Sequence, residues 1–348
     1  MTTVYLIRHG EAEGNLYRRA QGHYNGIITD RGYRQIAALA RRFENVPVDA
    51  VYASDLLRTR TTALSVTLTH GLPLRTMPAL REICVGEWEN HTWAYLAHFY
   101  REELVRFNTD AATWHVSGGE DMSVLRERLT GALRTIINAH PNETVAVFSH
   151  GMALRLLLGT LSGLSISEID RTPHGENTAV SRLEADETGI RIVYRDDASH
   201  LSDELTTLHR QLWTRSKGGL EPGIWFEPDG SAGTRFNVME EDACVGGVGV
   251  SKLAEGVATT EEFWLEEAAQ GRGYGIRLLG QAITCARSLG CDTLREAIPR
   301  EDTEAIRRAV AYGYTPVQAT PKLVVYEKYF GTDEDYCTAR LRAAMEEG

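Results

Sequence analysis

The chain has 348 residues, with 37 lysines and arginines against 48 aspartates and glutamates and a formal net charge of -11. This length favours about two domains, and the acidic balance without a basic block argues against non-specific nucleic-acid binding. No apolar run approaches the ~20 residues of a transmembrane helix, and the N-terminus does not resemble a signal peptide. Five cysteines without a C-x-x-C pair favour reduced thiols, so we expect a cytoplasmic protein.

Lysine use divides the chain, because every Lys or Arg before Lys217 is arginine. A Gly/Pro-rich stretch without an amphipathic period follows at residues 215–229, which is typical of a connection between domains. We therefore predict four segments: a first domain over 1–205, a linker over 206–222, a second domain over 223–331 and a charged tail over 332–348.

In the first domain, short β-rich runs alternate with helical patterns. Strands are predicted at 3–7, 50–53, 144–148 and 180–183, and helices after Thr29, after Ser54, over 121–140 and over 152–161. Thr29 and Ser54 lie where helix N-caps belong. This alternation predicts an α/β/α layered domain with a mostly parallel sheet.

The second domain has a different pattern. Strands at 235–239, 245–251 and 257–265 are separated by short turns, which predicts an antiparallel meander. A Gly-rich segment at 270–275 comes next, followed by helices over 276–289 and 302–311 and a closing strand near 322–327. We expect a smaller α+β unit.

Two histidines follow predicted strands of the first domain. Arg8, His9 and Gly10 come directly after the apolar run at 4–7, and His150 and Gly151 come after the run at 144–148. If the two strands are neighbours, both imidazoles and the arginine lie at the carboxyl edge of the sheet, where such sheets bind ligands. The helix predicted after His150 directs its N-terminal dipole to the same point, which favours an anion.

A phosphoryl group fits this set of side chains. A neutral imidazole can attack phosphorus, arginine and a second imidazole can stabilise the charged oxygens, and a carboxylic acid can protonate the departing alkoxide. This chemistry needs no metal.

Six segments then resemble, in order, the histidine phosphatase superfamily, also called phosphoglycerate mutase-like. They are RHGEAEGN at 8–15, QGHYNGIITDRGYRQIA at 21–37, SDLLRTRTTA at 54–63, LREICVGEWEN at 80–90, GGED at 118–121 and FSHGMALR at 148–155. The resemblance implies that His9 is the nucleophile that becomes phosphohistidine. It implies Glu82 as the proton donor, with Glu87 and Glu89 as competitors.

Further roles are implied by position. The resemblance places Arg8, Arg58 and His150 on the phosphoryl oxygens, Asn15 and Gly151 in the phosphate pocket, and Gln21 and Gly22 in a loop that meets the substrate. The segment LREI…GEWE resembles the phosphatase branch more than the mutase branch, and the domain lacks the longer insert of the mutases. Asn90 and Asn25 depart from the Gly and Asp that are common in the family, and the aromatics between 88 and 100 fit either an aromatic leaving group or a lid core.

The second domain resembles GNAT-family N-acetyltransferases. The carrying segments are QGRGYG at 270–275, SLGCDTL at 288–294 and AIRRAVAYGYTPV at 305–317. The resemblance implies acetyl-CoA, with its pyrophosphate on the backbone of Gln270, Gly271, Arg272, Gly273, Tyr274 and Gly275, and its pantetheine beside Phe263 and Leu265. Ala309 and Asp302 depart from the common Tyr and Asn. The base stays open among Glu261, Glu262, Glu266 and Glu267, and Tyr314 is expected in the core.

These readings predict a bifunctional enzyme: a metal-independent phosphomonoesterase fused to an acetyltransferase. The expected partners are a small phosphate ester, acetyl-CoA and an unknown amine acceptor, with neither nucleic acid nor a membrane. One alternative is a mutase that returns the phosphoryl group to an acceptor hydroxyl. Another is a phosphatase whose second domain senses acetyl-CoA without catalysis. The assembly state stays open, a homodimer included.

Overall fold

Two β-sheets, each with its own helices, organise the chain. The computed structural model describes residues 1–208, 211, 220, 223–230 and 233–347. Most of the predicted linker therefore lies outside the described residues.

The first sheet has six strands in the order β3-β2-β4-β1-β5-β6. Its strands are β1 (Thr2–Arg8), β2 (Ala50–Ala53), β3 (Leu74–Thr76), β4 (Thr144–Ser149), β5 (Val180–Asp186) and β6 (Gly189–Asp197). The pairs β1/β4, β2/β4 and β2/β3 are parallel, whereas β5 pairs antiparallel with both β1 and β6. The predicted α/β class is confirmed, and the antiparallel edge, including the unpredicted β6, makes the sheet mixed.

Seven helices accompany this sheet in the described part of the first domain. They are α1 (Glu13–Leu16), α2 (Asp30–Phe43), α3 (Leu57–His70), α4 (Trp93–Phe99), α5 (Arg101–Thr109), α6 (Met122–Ala139) and α7 (Gly151–Leu161). Helix α2 begins where predicted, because the Thr29 hydroxyl accepts from the Gly32 amide at 3.0 Å. Helix α3 begins later than predicted. The side chain of Asn25, not that of Ser54, accepts from the Leu57 amide at 2.7 Å.

The second sheet has seven strands in the order β12-β13-β11-β10-β9-β8-β7. Its strands are β7 (Ile224–Pro228), β8 (Arg235–Glu240), β9 (Ala243–Ala254), β10 (Val257–Leu265), β11 (Thr293–Pro299), β12 (Thr315–Ala319) and β13 (Leu323–Tyr329), and its helices are α8 (Tyr274–Ser288) and α9 (Thr303–Ala311). The meander from β8 to β10 forms as predicted. Strand β7, which the sequence analysis missed, extends it at the edge.

The predicted charged tail returns to the first domain as α10 (Glu334–Glu346). Its Leu341 is 0% exposed and belongs to one hydrophobic cluster with Tyr33 and Ile36 of α2. Burying one leucine side chain is worth about 2 kcal/mol, so α10 contributes to the fold of the first domain. No helix among the described residues is long and apolar enough to cross a membrane.

Candidate active sites

The two histidine motifs meet at one edge of the first sheet. Strands β1 and β4 are parallel neighbours, with Arg8 opposite Ser149, and the His9 amide donates to the Ser149 carbonyl at 3.0 Å. The imidazole centroids of His9 and His150 are therefore 5.4 Å apart. The topology brings together the side chains that the two motifs supply.

The His9 ring is held in one tautomer. Its Nδ1 lies 2.7 Å from the carbonyl oxygen of Gly10, and because a carbonyl only accepts, Nδ1 carries the proton and Nε2 keeps a lone pair. Burial lowers the pKa of His9 well below 6.5, and the charges of Arg58 and Arg8 lower it further. The ring is therefore neutral, as a nucleophile must be.

Two buried donors beside His9 lack an acceptor. Arg58 Nε donates to His150 Nδ1 at 3.1 Å, so the proton of the neutral His150 ring lies on Nε2. Within the described part of the chain, His150 Nε2 and Arg8 Nε have no hydrogen-bond partner. Buried donors without acceptors are costly, and an anion between these two side chains would satisfy both.

Arg58 connects the pocket to residues 21–27, which we call the substrate loop. It is 0% exposed, and it donates to the carbonyls of Gly22 at 2.7 Å and Tyr24 at 2.9 Å. Burial lowers its pKa to about 10, so the guanidinium stays charged at neutral pH. Gly22 is required here because an added Cβ would lie 2.3 Å from the Ile83 carbonyl oxygen.

Glu82 occupies the N-terminus of α7. Its carboxylate accepts from the amides of Met152 at 3.0 Å and Ala153 at 2.8 Å. The Glu82 side chain thus occupies amides of the helix terminus at which we expected a bound anion. Glu82 is 8% exposed and lines the same cavity as His9, which puts a carboxyl group beside the nucleophile.

The competing carboxylates are placed differently. Glu89 accepts from the amides of Gly22, His23 and Tyr24 at 3.2, 2.6 and 2.9 Å, so it holds the substrate loop. Glu87 is exposed. Asn90 has φ +62°, a conformation that asparagine tolerates better than most residues, which explains how it replaces glycine.

A cavity of about 130 Å³ surrounds His9 and also contacts Asn15, Gln21 and Gly151. An added Cβ on Gly151 would lie 3.3 Å from the Arg8 guanidinium, so the glycine lets Arg8 lie against the start of α7. One wall of the cavity is apolar, formed by Ile83, Val85, Trp93, Phe107 and Met152. Trp88 is 0% exposed, so the aromatic segment serves both the cavity and the core.

Sequence reasoning missed Arg128. From α6 it donates to the carbonyls of Ala79, Arg81 and Glu82 at 2.9, 2.7 and 2.8 Å, and these bonds fix the loop that carries Glu82. An arginine on the polar side of an amphipathic helix gives no sequence signal for this role. The cavity also contacts Arg18, Asn108, His174 and, from beyond the predicted first domain, Leu208 and Gln211.

The Gly-rich segment of the second domain borders a groove of about 540 Å³. Seven of the eight predicted residues line it: Phe263, Leu265, Gln270, Gly271, Gly273, Tyr274 and Gly275. The eighth, Arg272, instead pairs with the carboxylate of Glu240 at 2.5 Å. The groove ends at the N-terminus of α8, where backbone amides favour an anion such as a pyrophosphate.

Backbone conformation explains the glycines. Gly271 and Gly273 have φ +70° and +77°, which side chains other than glycine adopt at a cost. An added Cβ on Gly275 would lie 2.0 Å from the Tyr312 hydroxyl. The backbone of the turn therefore favours glycine at 271 and 273, and a side chain at 275 would displace the Tyr312 hydroxyl.

Sequence reasoning also missed Glu296. Strands β10 and β11 are parallel at two residue pairs, Val257/Thr293 and Ala258/Leu294, and then lose their pairing. At this point the Glu296 carboxylate accepts from the hydroxyl of Thr260 and from its amide at 3.4 Å. Strand alternation alone could not reveal a gap between two strands.

Glu296 lines a smaller cavity of about 80 Å³, which shares Phe263, Arg308 and Tyr312 with the groove. Burial raises the pKa of Glu296 above its usual value, against the effect of the Thr260 hydrogen bonds. The base candidates from sequence lie elsewhere: Glu261 and Glu262 pair with Arg235 at 2.8 and 3.2 Å, and Glu266 and Glu267 are exposed.

Two other residues of this region have structural surroundings. Tyr314 is 7% exposed and packs in the core of the second domain, where we expected it. Asp302 accepts from the Ala305 amide at 2.9 Å and caps α9. Among the residues that the structure describes, no three His, Cys, Asp or Glu side chains form a group that could hold a metal.

Comparisons with known families cover both regions. Residues 4–198 match the histidine phosphatase superfamily (branch 1), and residues 199–314 match the acetyltransferase (GNAT) family. Over 209 residues the chain is 34% identical to "Probable phosphoglycerate mutase GpmB" of Yersinia pestis and 32% identical to the protein of that name from Cronobacter sakazakii. These matches cover 58% of this chain and 95% of each relative.

Solved structures agree with the first match. YhfR of Bacillus stearothermophilus has a TM-score of 0.57 at 28% identity and covers 58% of this chain and 100% of its own. The α-ribazole phosphatase of Shigella flexneri has a TM-score of 0.52 at 23% identity, over 56% of this chain and 96% of its own. The latter likeness concerns the fold alone.

Proposed function

The chain belongs to the histidine phosphatase superfamily and carries a GNAT domain after it, and from this premise we propose that its first domain hydrolyses phosphate monoesters through a phosphohistidine at His9. The observation that carries the proposal is the pairing of a neutral nucleophile with unused donors. His9 Nε2 has a free lone pair, and beside it Arg8 Nε and His150 Nε2 lack acceptors among the residues that the structure describes.

The reaction proceeds in two displacements. His9 Nε2 attacks phosphorus, the ester P–O bond breaks, and the leaving oxygen takes the proton of the Glu82 carboxyl group. Glu82 then takes a proton from water, whose oxygen attacks the phosphorus and releases inorganic phosphate from His9. Arg8, Arg58 and His150 stabilise the charge on the phosphoryl oxygens throughout.

The cavity walls favour esters with an apolar or aryl leaving group. Beyond the phosphoryl pocket, Trp93, Phe107 and Val85 offer apolar surface. Such walls gain free energy from apolar groups, whereas a small carboxylate-bearing ester would depend on Arg18 or Arg19 of the same cavity. A mutase is the second candidate, which the named relatives favour.

The first experiment gives the purified chain a chromogenic aryl phosphate in EDTA and follows the release of phosphate and phenol. Quenching in alkaline detergent traps the phosphoenzyme, and its stability in alkali with lability in acid identifies phosphohistidine. The assay is repeated with 3-phosphoglycerate, with product positions read by phosphorus NMR. Isomerisation without phosphate release would replace the hydrolase with a mutase, and loss of activity in EDTA would contradict both.

For the second domain we propose that acetyl-CoA lies in the groove at Gln270 to Gly275 and that an amine is acetylated beside Glu296. Acetyl-CoA supplies an activated acetyl group when bound. Glu296, whose carboxylate is desolvated in the gap between β10 and β11, accepts the proton of the attacking amine. Tyr312 borders both the groove and this cavity, and its hydroxyl, which lies against Gly275, would donate to a departing thiolate.

Calorimetry with acetyl-CoA and a thiol-release assay with a panel of primary amines test this proposal. Glu296→Gln should retain acetyl-CoA affinity and lose about 100-fold in transfer rate, a typical loss when a general base is removed. Glu261→Gln is the matched control, because Glu261 is exposed and pairs with Arg235. If acetyl-CoA binds but no amine of the panel causes release of its thiol, the result would instead support a second domain that senses acetyl-CoA without catalysis.

A further inference from the structure

Helix α8 of the second domain lies directly against the phosphatase site. At Gly280 an added Cβ would lie 2.5 Å from the ring of Tyr17, so the helix backbone itself contacts the segment that follows α1. The side-chain carbonyl of Gln281 accepts from Arg19, which lines the His9 cavity. The two domains are therefore in close contact beside the catalytic cavity.

The last turn of α8 supplies the main polar contact. Arg287 donates to both carboxylate oxygens of Glu13, at 2.9 and 3.0 Å, and to the hydroxyl of Tyr24 at 2.8 Å. The Glu13 side chain is 5% exposed. This is a bidentate ion pair of the strong kind, between a buried carboxylate of the first domain and an arginine of the second.

Glu13 and Tyr24 both act on the substrate loop. Glu13 Oε2 accepts from the amide of Ile27 at 3.2 Å, and the carbonyl of Tyr24 accepts from Arg58 at 2.9 Å. The loop thus lies between two arginines. Arg58 holds its inner side at the phosphoryl pocket, and Arg287 holds its outer side from the other domain.

We infer that Arg287 is a positioning residue for the phosphatase reaction: through Glu13 and Tyr24 it fixes the loop whose carbonyls orient Arg58. The inference rests on the proposed phosphatase function. Without Arg287, the Glu13 carboxylate would stay buried without its cation, an arrangement that is strongly destabilising. The loop would then relieve the charge by moving outward to water, and the carbonyls that hold Arg58 would move with it.

KM and kcat of the phosphatase reaction should respond differently to the loss of Arg287. Arg58 faces the phosphoryl oxygens in both the ground state and the transition state, so its misplacement weakens substrate binding and raises KM. His9 directly follows β1, and the Glu82 carboxyl group is held by amides of α7. The substrate loop reaches Glu82 at its backbone carbonyl, through His23, and Arg128 also holds that carbonyl. The turnover of bound substrate should change little.

The test uses the full chain with a chromogenic aryl phosphate in EDTA and compares Arg287→Ala, Arg287→Lys and Tyr24→Phe with the wild type. Arg287→Ala should raise KM about tenfold, because a small displacement of a side chain that contacts the substrate weakens its interaction by this factor or more. The kcat of this variant should stay within about twofold of the wild-type value. Tyr24→Phe removes only the hydroxyl and should raise KM about threefold, as expected for one hydrogen bond. Arg287→Lys should raise KM less than Arg287→Ala does, because lysine keeps the positive charge but cannot donate to both carboxylate oxygens as the guanidinium does.

Arg295→Ala is the matched control. Arg295 pairs with Glu327 inside the second domain at 2.5 Å, so its loss removes an ion pair of the same domain away from the substrate loop. Its KM should equal that of the wild type. Affinity for orthovanadate, measured by calorimetry on every variant, gives a second readout that needs no turnover.

Each outcome either supports or overturns the positioning role of Arg287. Raised KM and weakened vanadate binding in Arg287→Ala, with the control unchanged, support the positioning role. Unchanged KM, or a kcat that falls only with the folded fraction, overturns it and leaves a structural contact. If Arg287→Ala does not fold, Tyr24→Phe decides by the same two readouts. A wild type that neither turns over nor traps phosphate refutes the proposed function, and vanadate affinity of the variants still tests the coupling.

Discussion

The pocket at His9 and the groove at the Gly-rich segment are formed by different parts of their residues. The first consists of buried side chains, with Arg58 and His150 at 0% exposure. The second consists largely of backbone, in a Gly-rich turn whose Gln270, Gly271 and Gly273 are exposed. A site of side chains depends on residue identity, whereas a site of backbone amides depends on conformation. The two sites should therefore fail in different ways when they are mutated.

The largest effect is expected for the nucleophile. His9→Ala should reduce aryl phosphate turnover at least about 1,000-fold and abolish the acid-labile phosphoenzyme, because it removes the proposed nucleophile of the covalent intermediate. Rapid-quench labelling measures both. His115→Ala, at an exposed position, should behave as the wild type. Phosphoenzyme that persists in the His9 variant would show that another residue is the nucleophile.

The effect of Glu82→Gln on the cleavage rate should depend on the leaving group of the ester. An amide cannot supply the proton, so alkyl phosphates should be cleaved about 100-fold more slowly, while p-nitrophenyl phosphate, whose leaving group needs no proton, should lose much less. The ratio of the two rates is the measurement. Glu87→Gln should leave the ratio unchanged. An equal loss for both esters would remove Glu82 from the acid role.

Gly273→Val tests the backbone site. Valine at φ +77° costs about 1 to 3 kcal/mol in strain, so the turn should open and acetyl-CoA affinity should fall about tenfold or more. Phosphatase kcat should stay at the wild-type value. Gly290→Val is the matched control, since Gly290 has φ +72° and no described atom lies within 4 Å of an added Cβ. Equal affinity in the two variants would show that the Gly-rich turn does not hold the coenzyme.

The pH dependence should also separate the sites. The pKa of His9 is lowered by burial and by two arginines, so the imidazole stays unprotonated as pH falls through 6.5, and phosphoenzyme formation should change less than about twofold between pH 7 and 6. The pKa of Glu296 is raised, so its base form is lost at a higher pH than for an ordinary glutamate. A phosphoenzyme rate that halves near pH 6.5 would contradict a neutral, buried His9.

Much of the first site could be predicted because its chemistry lies in short motifs at strand ends. Arg8, His9 and His150 follow apolar runs, and parallel pairing of β1 and β4 was enough to bring them together. The choice among Glu82, Glu87 and Glu89 needed a resemblance, because three nearby carboxylates look alike in sequence. The structure separates them by the amides that each one accepts from.

Other functional and packing contacts could not be predicted from the neighbouring sequence. Arg128, Glu296 and Arg287 act across sequence separations of 46, 36 and 274 residues, and each lies in a regular helix or strand where a charged residue is ordinary. The tail was predicted only as charged and helix-prone, and the burial of Leu341 against α2 depends on a surface formed 300 residues earlier in the chain.

The sequence by itself indicated most of the alternation of strands and helices, the two families and the motifs that carry Arg8, His9 and His150, because periodicity, turn glycines and motif spacing are local properties of the chain. Only the tertiary structure decided that Glu82 lies at the start of α7, that β10 and β11 part at Glu296, and that Arg287 reaches Glu13 from the second domain. These contacts join segments far apart in sequence. Their geometry is fixed by packing and by the need to pair every buried charge, and neither can be read from neighbouring residues.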